Sequence, residues 1–211
     1  MSRKRASDTV DLRLLNPKIQ RRIENAVLEL FSDRPLSQVG FSEIAKSANT
    51  SLQTIYRYYG TKEALLSASL EHWLGQLTAT VSENLSQTEN YKERMRKGFS
   101  VVLDYFEKHP KVALLAQHAI ADDSTEQSDP LVKQQFSKML LSEIEKGQEQ
   151  GVLNKDVSGD ILFDYFAGVF IRLVQGNIVR RSKESISGQA NVLFELLWRA
   201  IADPAHEHFS S

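Results

Sequence analysis

Between Thr50 and Lys62 the chain gathers small hydroxyls, an amide, phenols and cations: Thr50, Ser51, Gln53, Thr54, Tyr56, Arg57, Tyr58, Thr61 and Lys62. Such groups hydrogen-bond phosphate oxygens and base edges. Ile55 and Tyr59, four residues apart, are spaced to face inward on a short helix. That leaves Leu52, Gln53, Thr54, Arg57 and Tyr58 outward. On such a face Gln53 suits adenine, Arg57 suits guanine and Leu52 suits a thymine methyl.

The surrounding residues read as the elements that hold this face. Residues 41–63, FSEIAKSANTSLQTIYRYYGTKE, outline a short helix, a tight turn, a second short helix and the start of a third. That is a helix-turn-helix, whose second helix enters the DNA major groove. Asn16-Pro17 starts a helix ahead of it, as N-cap and first helical residue, with Ile19, Ile23, Ala26, Val27, Leu30 and Phe31 on one face. Pro35 stops that helix. Gly40 starts the next, and Glu43 is placed to reach back to the open N–H groups. Asn49 suits the left-handed turn that follows. Ser51 caps the third helix and Thr61 a longer fourth, which has Glu63 in its first turn.

From about Lys18 to Trp73 the sequence resembles the TetR family of bacterial repressors. The shared features are Leu30-Phe31 at the end of the first helix, Ile44-Ala45 in the second, and a turn ending in Ser51. Thr54-Ile55-Tyr56, Tyr59 and Gly60-Thr61-Lys62-Glu63-Ala64-Leu65 follow in register. Asn49 stands where the family usually has glycine, and Pro35 also replaces a glycine. The resemblance implies that Tyr56 and Lys62 contact phosphates, with Thr50 and Ser51 assisting. A free helix N-terminus and a lysine both suit a phosphate, and the phenols of Tyr56 and Tyr58 reach backbone oxygens.

The rest of the chain reads as about five more helices, near 91–108, 111–121, from Asp129-Pro130 to Gly151, 157–180 and 186–202. The helix near 157–180 is apolar almost all round, except for a polar line through Asp160, Asp164, Gly168 and Arg172, and the helix near 186–202 is similar. A small chain has little interior to enclose two such helices, so they point to a homodimer. Phe166, Phe170, Leu173, Leu193, Leu197 and Ile201 are the expected interface. In the resembling family these helices also form a small-molecule pocket. Tyr105, Phe106, Gln117, His118, Met139, Tyr165 and Arg172 are its candidates here, and their mixed character suits an apolar or aromatic effector. Glu195 and Arg199 read as a surface ion pair.

Charge is divided unevenly: residues 1–60 hold ten Lys or Arg against six Asp or Glu, while the 211-residue chain has a net charge of −1. A basic N-terminal third suits phosphates, and Ser2-Arg3-Lys4-Arg5 reads as a tail or a DNA-contacting arm. The absence of cysteine excludes disulfides and thiolate metal sites. No apolar run approaches the ~20 residues of a membrane span, and the basic N-terminus lacks a signal peptide's apolar core. A cytoplasmic protein without membrane contact is expected. The five histidines show no metal-binding spacing and there is no glycine-rich phosphate loop, so neither an enzyme nor a cofactor or metal is expected.

The sequence therefore predicts an all-α chain of about nine helices. Residues 1–62 form a three-helix DNA-binding head and residues 63–211 a ligand-binding and dimerisation domain. The expected function is a sequence-specific repressor on a pseudo-palindromic double-stranded operator, released by a small molecule. An all-α ligand-binding or scaffold protein with an incidental helix-turn-helix is the alternative, and a small helical enzyme a third reading.

Overall fold

The computed structural model describes residues 15–86, 90–121, 135–180 and 185–204. Nine α-helices and two single 3-10 turns make up these residues, so the chain is all-α. The described residues of 1–73 and 114–134 form one compact unit, and those of 74–113 and 135–211 a second.

In the first unit, helix α1 spans Pro17–Asp33, α2 Phe41–Ser47 and α3 Leu52–Tyr59, followed by the first turns of α4, Lys62–Ser86. Asn16 caps α1 by accepting the Lys18 N–H at 2.9 Å, with Pro17 at the first helical position. Ile23, Ala26, Val27 and Phe31 of α1 are buried, as are Ile44, Ala45 and Ala48 of the α2 region and Leu65, Leu66 and Leu70 of α4. Each set recurs at helical spacing, so every helix turns one stripe to the core. Glu43 does not reach back to the start of its own helix. It pairs with Arg34, which lies just beyond α1, and so ties the two helices together. Gly40 accordingly stands at the N-cap without a side-chain cap bond.

The second unit contains the rest of α4, α5 (Tyr91–Lys108), the start of α6 (Pro110–Ala121), α7 (Gln135–Glu149), α8 (Gly159–Arg180) and α9 (Ala190–Ile201). Phe99 is its centre. That ring meets Phe166 and Phe170 edge-on at 6.0 and 5.9 Å, and leans on Phe194 at 5.8 Å. Trp198 continues the cluster beside Phe194 at 5.7 Å. Gly147 of α7 lies under Tyr91, where an added Cβ would fall 2.4 Å from the phenol oxygen and 2.8 Å from Leu153 Cδ1. Only glycine lets α7 approach so closely. Tyr91 in turn donates to the Glu143 carbonyl at 2.7 Å.

Several expectations change here. Phe166, Phe170, Leu197 and Ile201 are 6, 7, 4 and 2% exposed, and belong to the core of the chain itself; Leu173 and Leu193 are half-buried. The outward apolar residues are instead Ile161, Tyr165, Val192 and Leu196, at 56, 47, 66 and 61% exposure. A helix apolar on both sides offers no periodicity to tell inside from outside. Glu195 pairs with Lys92 at 2.8 Å rather than with Arg199, because packing of α9 on α5 brings the amine to it. Residues 159–178 have the length and mean hydropathy, 1.3, of a membrane span, contrary to the sequence reading. Leu162, Phe166, Phe170 and Val174 of that segment are buried in the protein core. The expected Asp129-Pro130 helix start and the Ser2–Arg5 arm lie outside the described residues.

Candidate nucleic-acid interface

The turn between α2 and α3 fixes how α3 is presented. Asn49 adopts φ 48°, in the left-handed region. Its N–H reaches the Lys46 carbonyl at 3.2 Å, and the Thr50 N–H reaches the Ala45 carbonyl at 2.9 Å. This pair of bonds is a Schellman motif, which consumes the carbonyls left open at the end of α2. Ser51 then caps α3, its Oγ accepting the Thr54 N–H at 3.0 Å and lying 2.8 Å from the Thr54 hydroxyl. At the far end Gly60 takes φ 71°, and its N–H closes on the Tyr56 carbonyl at 3.1 Å. Thr61 starts α4 by accepting the Ala64 N–H at 3.1 Å.

These bonds orient α3 with one side in the core. Ile55 is fully buried and Tyr59 is 3% exposed. Burial, and then the nearby Glu24 carboxylate, push the Tyr59 phenol well above the ordinary tyrosine range. Glu24 is itself buried behind α3, where it accepts from Gln20 at 2.8 Å and faces His72 Nδ1 at 3.4 Å.

The opposite side of the same helix is open. Ser51, Leu52, Gln53, Tyr56 and Arg57 are exposed, Thr61 beyond it is exposed, and Thr50, Thr54, Tyr58 and Lys62 are partly exposed. Leu52 and Tyr56 reach 41 and 54% exposure, high for side chains with so much apolar surface. The Arg57 guanidinium lies 5.7 Å from the Tyr58 ring centroid. Phe41, at the start of α2, meets the Tyr56 ring edge-on at 4.8 Å. Sequence reading passed over Phe41; an aromatic opening the helix before the turn was the available signal. The ten expected contact residues thus form one continuous run of side chains around α3 and its two ends. The surface offers an apolar contact, an amide, a guanidinium, phenols, hydroxyls and an ammonium group, the set used to grip phosphates and read bases.

The expected effector residues described in the second unit do not line one cleft together. Tyr105 packs on Phe106 and His109 at ring distances of 5.5 and 4.5 Å. Phe106 lines a cleft of about 250 Å³ with Glu107, Pro110, Val174, Asn177, Ile178 and Ile186. Met139 stands elsewhere in the second unit, its sulfur accepting from Ser82 at 3.1 Å. Tyr165 and Arg172 are on the exposed side of α8, and the side chains of Gln117 and His118 lie outside the described residues. The cleft residues on α8 were legible only as part of an apolar helix.

Beside the cleft, Glu107 at the end of α5 holds the 3-10 turn Ser187–Gln189. Its carboxylate accepts the Ser185 hydroxyl at 2.9 Å and the N–H groups of Ile186 and Ser187 at 3.0 and 3.2 Å. Burial works to raise this carboxyl, but the bonds from Ser187, Ser185 and Ile186 outweigh it and hold the group below its ordinary value.

Residues 23–69, which include the whole α2–turn–α3 unit, match the family described as bacterial regulatory proteins, tetR family. Across most of its length the chain is similar to the HTH-type transcriptional regulator YvdT of Bacillus subtilis. The two are 23% identical over 185 residues, covering 85% of this chain and 93% of YvdT. The fold is that of a TetR family transcription regulator from Marinobacter aquaeolei VT8, with a TM-score of 0.73 at 21% identity over 88% of this chain and 96% of that one. It is also that of the transcriptional regulator FadR from Bacillus subtilis in complex with stearoyl-CoA, with a TM-score of 0.66 at 18% identity over 84 and 96%. The helix-turn-helix region, residues 23–69, is thus that of the tetR family of bacterial regulatory proteins, and the chain as a whole is similar to such regulators and shares their all-α fold.

Proposed function

We propose that this DNA-binding regulator is a repressor that acts in the cytoplasm as a homodimer on a pseudo-palindromic operator. The observation that carries the reading is the polar, exposed side of α3, backed by buried Ile55 and Tyr59. Tyr56, Lys62, Thr50, Ser51 and Thr61 hold phosphates. Leu52, Gln53, Thr54, Arg57 and Tyr58 face the bases. DNA contact belongs to residues 1–62, and dimerisation and effector response to residues 63–211.

A C2 dimer needs a self-complementary patch. The outward residues Ile161 and Tyr165 on α8, with Val192 and Leu196 on α9, support one. Two α3 helices then occupy successive major grooves about 34–36 Å apart. The stearoyl-CoA bound by the FadR neighbour supports control by a small effector with an apolar part. Such an effector must bind the DNA-free state better than the DNA-bound state, or it shifts nothing. Selection of bound sites from random duplexes, repeated with metabolite mixtures, tests both halves. The expected result is a two-fold symmetric site and at least one fraction that releases the protein. Recovery of no enriched site would end the operator reading, and an enriched site unaffected by every fraction would end the effector reading.

A further inference from the structure

We infer that Phe41 is a positioning residue for DNA binding, acting through Tyr56. The inference rests on the proposed phosphate contact of Tyr56. Tyr56 is 54% exposed, and among the described residues its hydroxyl has no hydrogen-bond partner. An exposed tyrosine has several staggered positions open to it, and only some aim the phenol away from the head. The backbone bonds of the turn place the Cα of Tyr56 but do not choose among them. Phe41 makes the choice. Its ring is 7% exposed, held at the first position of α2, and presents its surface to Tyr56 at 4.8 Å with the planes 80° apart. Edge-to-face contact is the favoured geometry for two aromatic rings, because the positive edge of one meets the negative face of the other. The contact therefore narrows the positions of the phenol before DNA arrives, and less freedom is lost on binding. It also spans the two helices of the motif, so the aim of Tyr56 on α3 depends on a residue of α2.

Phe41 itself need not touch DNA. Replacing it with Leu keeps an apolar group in the same space and removes the ring. On the duplex that the full chain selects, Phe41→Leu is expected to weaken binding about threefold to tenfold. The salt slope should stay unchanged, since a phenol releases no counterion. In a Tyr56→Phe background, which keeps the ring and deletes the hydroxyl, the same Phe41→Leu change should have little further effect. Ring signals of labelled Tyr56 in the free protein should move toward exposed-tyrosine values in Phe41→Leu. If Phe41→Leu fails to fold, Phe41→Met carries the same comparison. Equal weakening in both backgrounds would show general damage to the head and overturn the inference. So would undiminished affinity in Phe41→Leu while Tyr56→Phe weakens binding, a result that leaves the phosphate contact standing. If Tyr56→Phe binds as the parent does, the phosphate contact itself is wrong and the inference falls with it.

Discussion

Lys62 and Arg57 sit five residues apart, at the start of α4 and on the open side of α3, yet the proposed contacts differ in kind. An ammonium on a phosphate contributes to every duplex alike, whereas a guanidinium on a base edge distinguishes sequences. Lys62→Ala is therefore expected to weaken binding to all duplexes about equally and to reduce the salt slope by roughly 1. Arg57→Ala and Gln53→Ala should relax preference at particular base pairs, by about 1–3 kcal/mol each. Affinities for a panel of single-base variants, measured at several salt concentrations, separate the two outcomes. The caps and turn residues on which this surface depends were legible in the sequence, because their chemistry is local. Asn16, Ser51 and Thr61 each bond an N–H two or three residues ahead, and Asn49 needs only its own left-handed φ. Glu43 was misread for the complementary reason: its partner, Arg34, lies nine residues back and outside its helix.

At the scale of elements, close approach and capping at a distance decide the second unit. Gly147→Ala places a methyl group against Tyr91 and Leu153, and should destabilise the protein by about 1–3 kcal/mol in chemical denaturation. Glu107 secures the turn before α9, and its carboxyl is held below the ordinary glutamate value by the bonds it accepts. A depressed carboxyl pKa stabilises the fold above the unfolded-state value, about 4.3, and that contribution is lost as pH falls through the folded value. Glu107→Gln is thus expected to lower the melting temperature by about 2–4 °C near neutrality. The difference from the parent should shrink as pH drops below about 4, which thermal scans across pH 3–7 can follow. Neither feature was visible in sequence. Tyr91 lies more than fifty residues from Gly147, and Ser185 lies 78 from Glu107.

For the whole molecule, the proposed dimer needs a face on which two chains can meet. Sequence alone pointed to the last two helices as an interface, and four of the six residues it named, Phe166, Phe170, Leu197 and Ile201, are buried within the chain. Phe166 and Phe170 fill the core around Phe99, while Ile161, Tyr165, Val192 and Leu196 face outward. Composition can show that a helix is apolar all round, but only packing against the other helices reveals which side is left over. A charge at an outward position should separate the subunits without disturbing the core. Leu196→Glu is expected to convert a dimer to a monomer in sedimentation while leaving the helical circular dichroism unchanged. It should also weaken operator binding by far more than tenfold, because each head then binds alone. A Leu197→Ala change at the buried neighbour should instead cost about 2–5 kcal/mol of stability, as a core truncation does.

The most direct test is sedimentation of the full chain with its selected duplex over a range of salt, giving affinity and stoichiometry together. Two chains, or a multiple of two, are expected on each symmetric site, with log affinity falling linearly against log salt. A single chain per site, or an affinity indifferent to salt and to the loss of Lys62 and Arg57, would contradict this expectation.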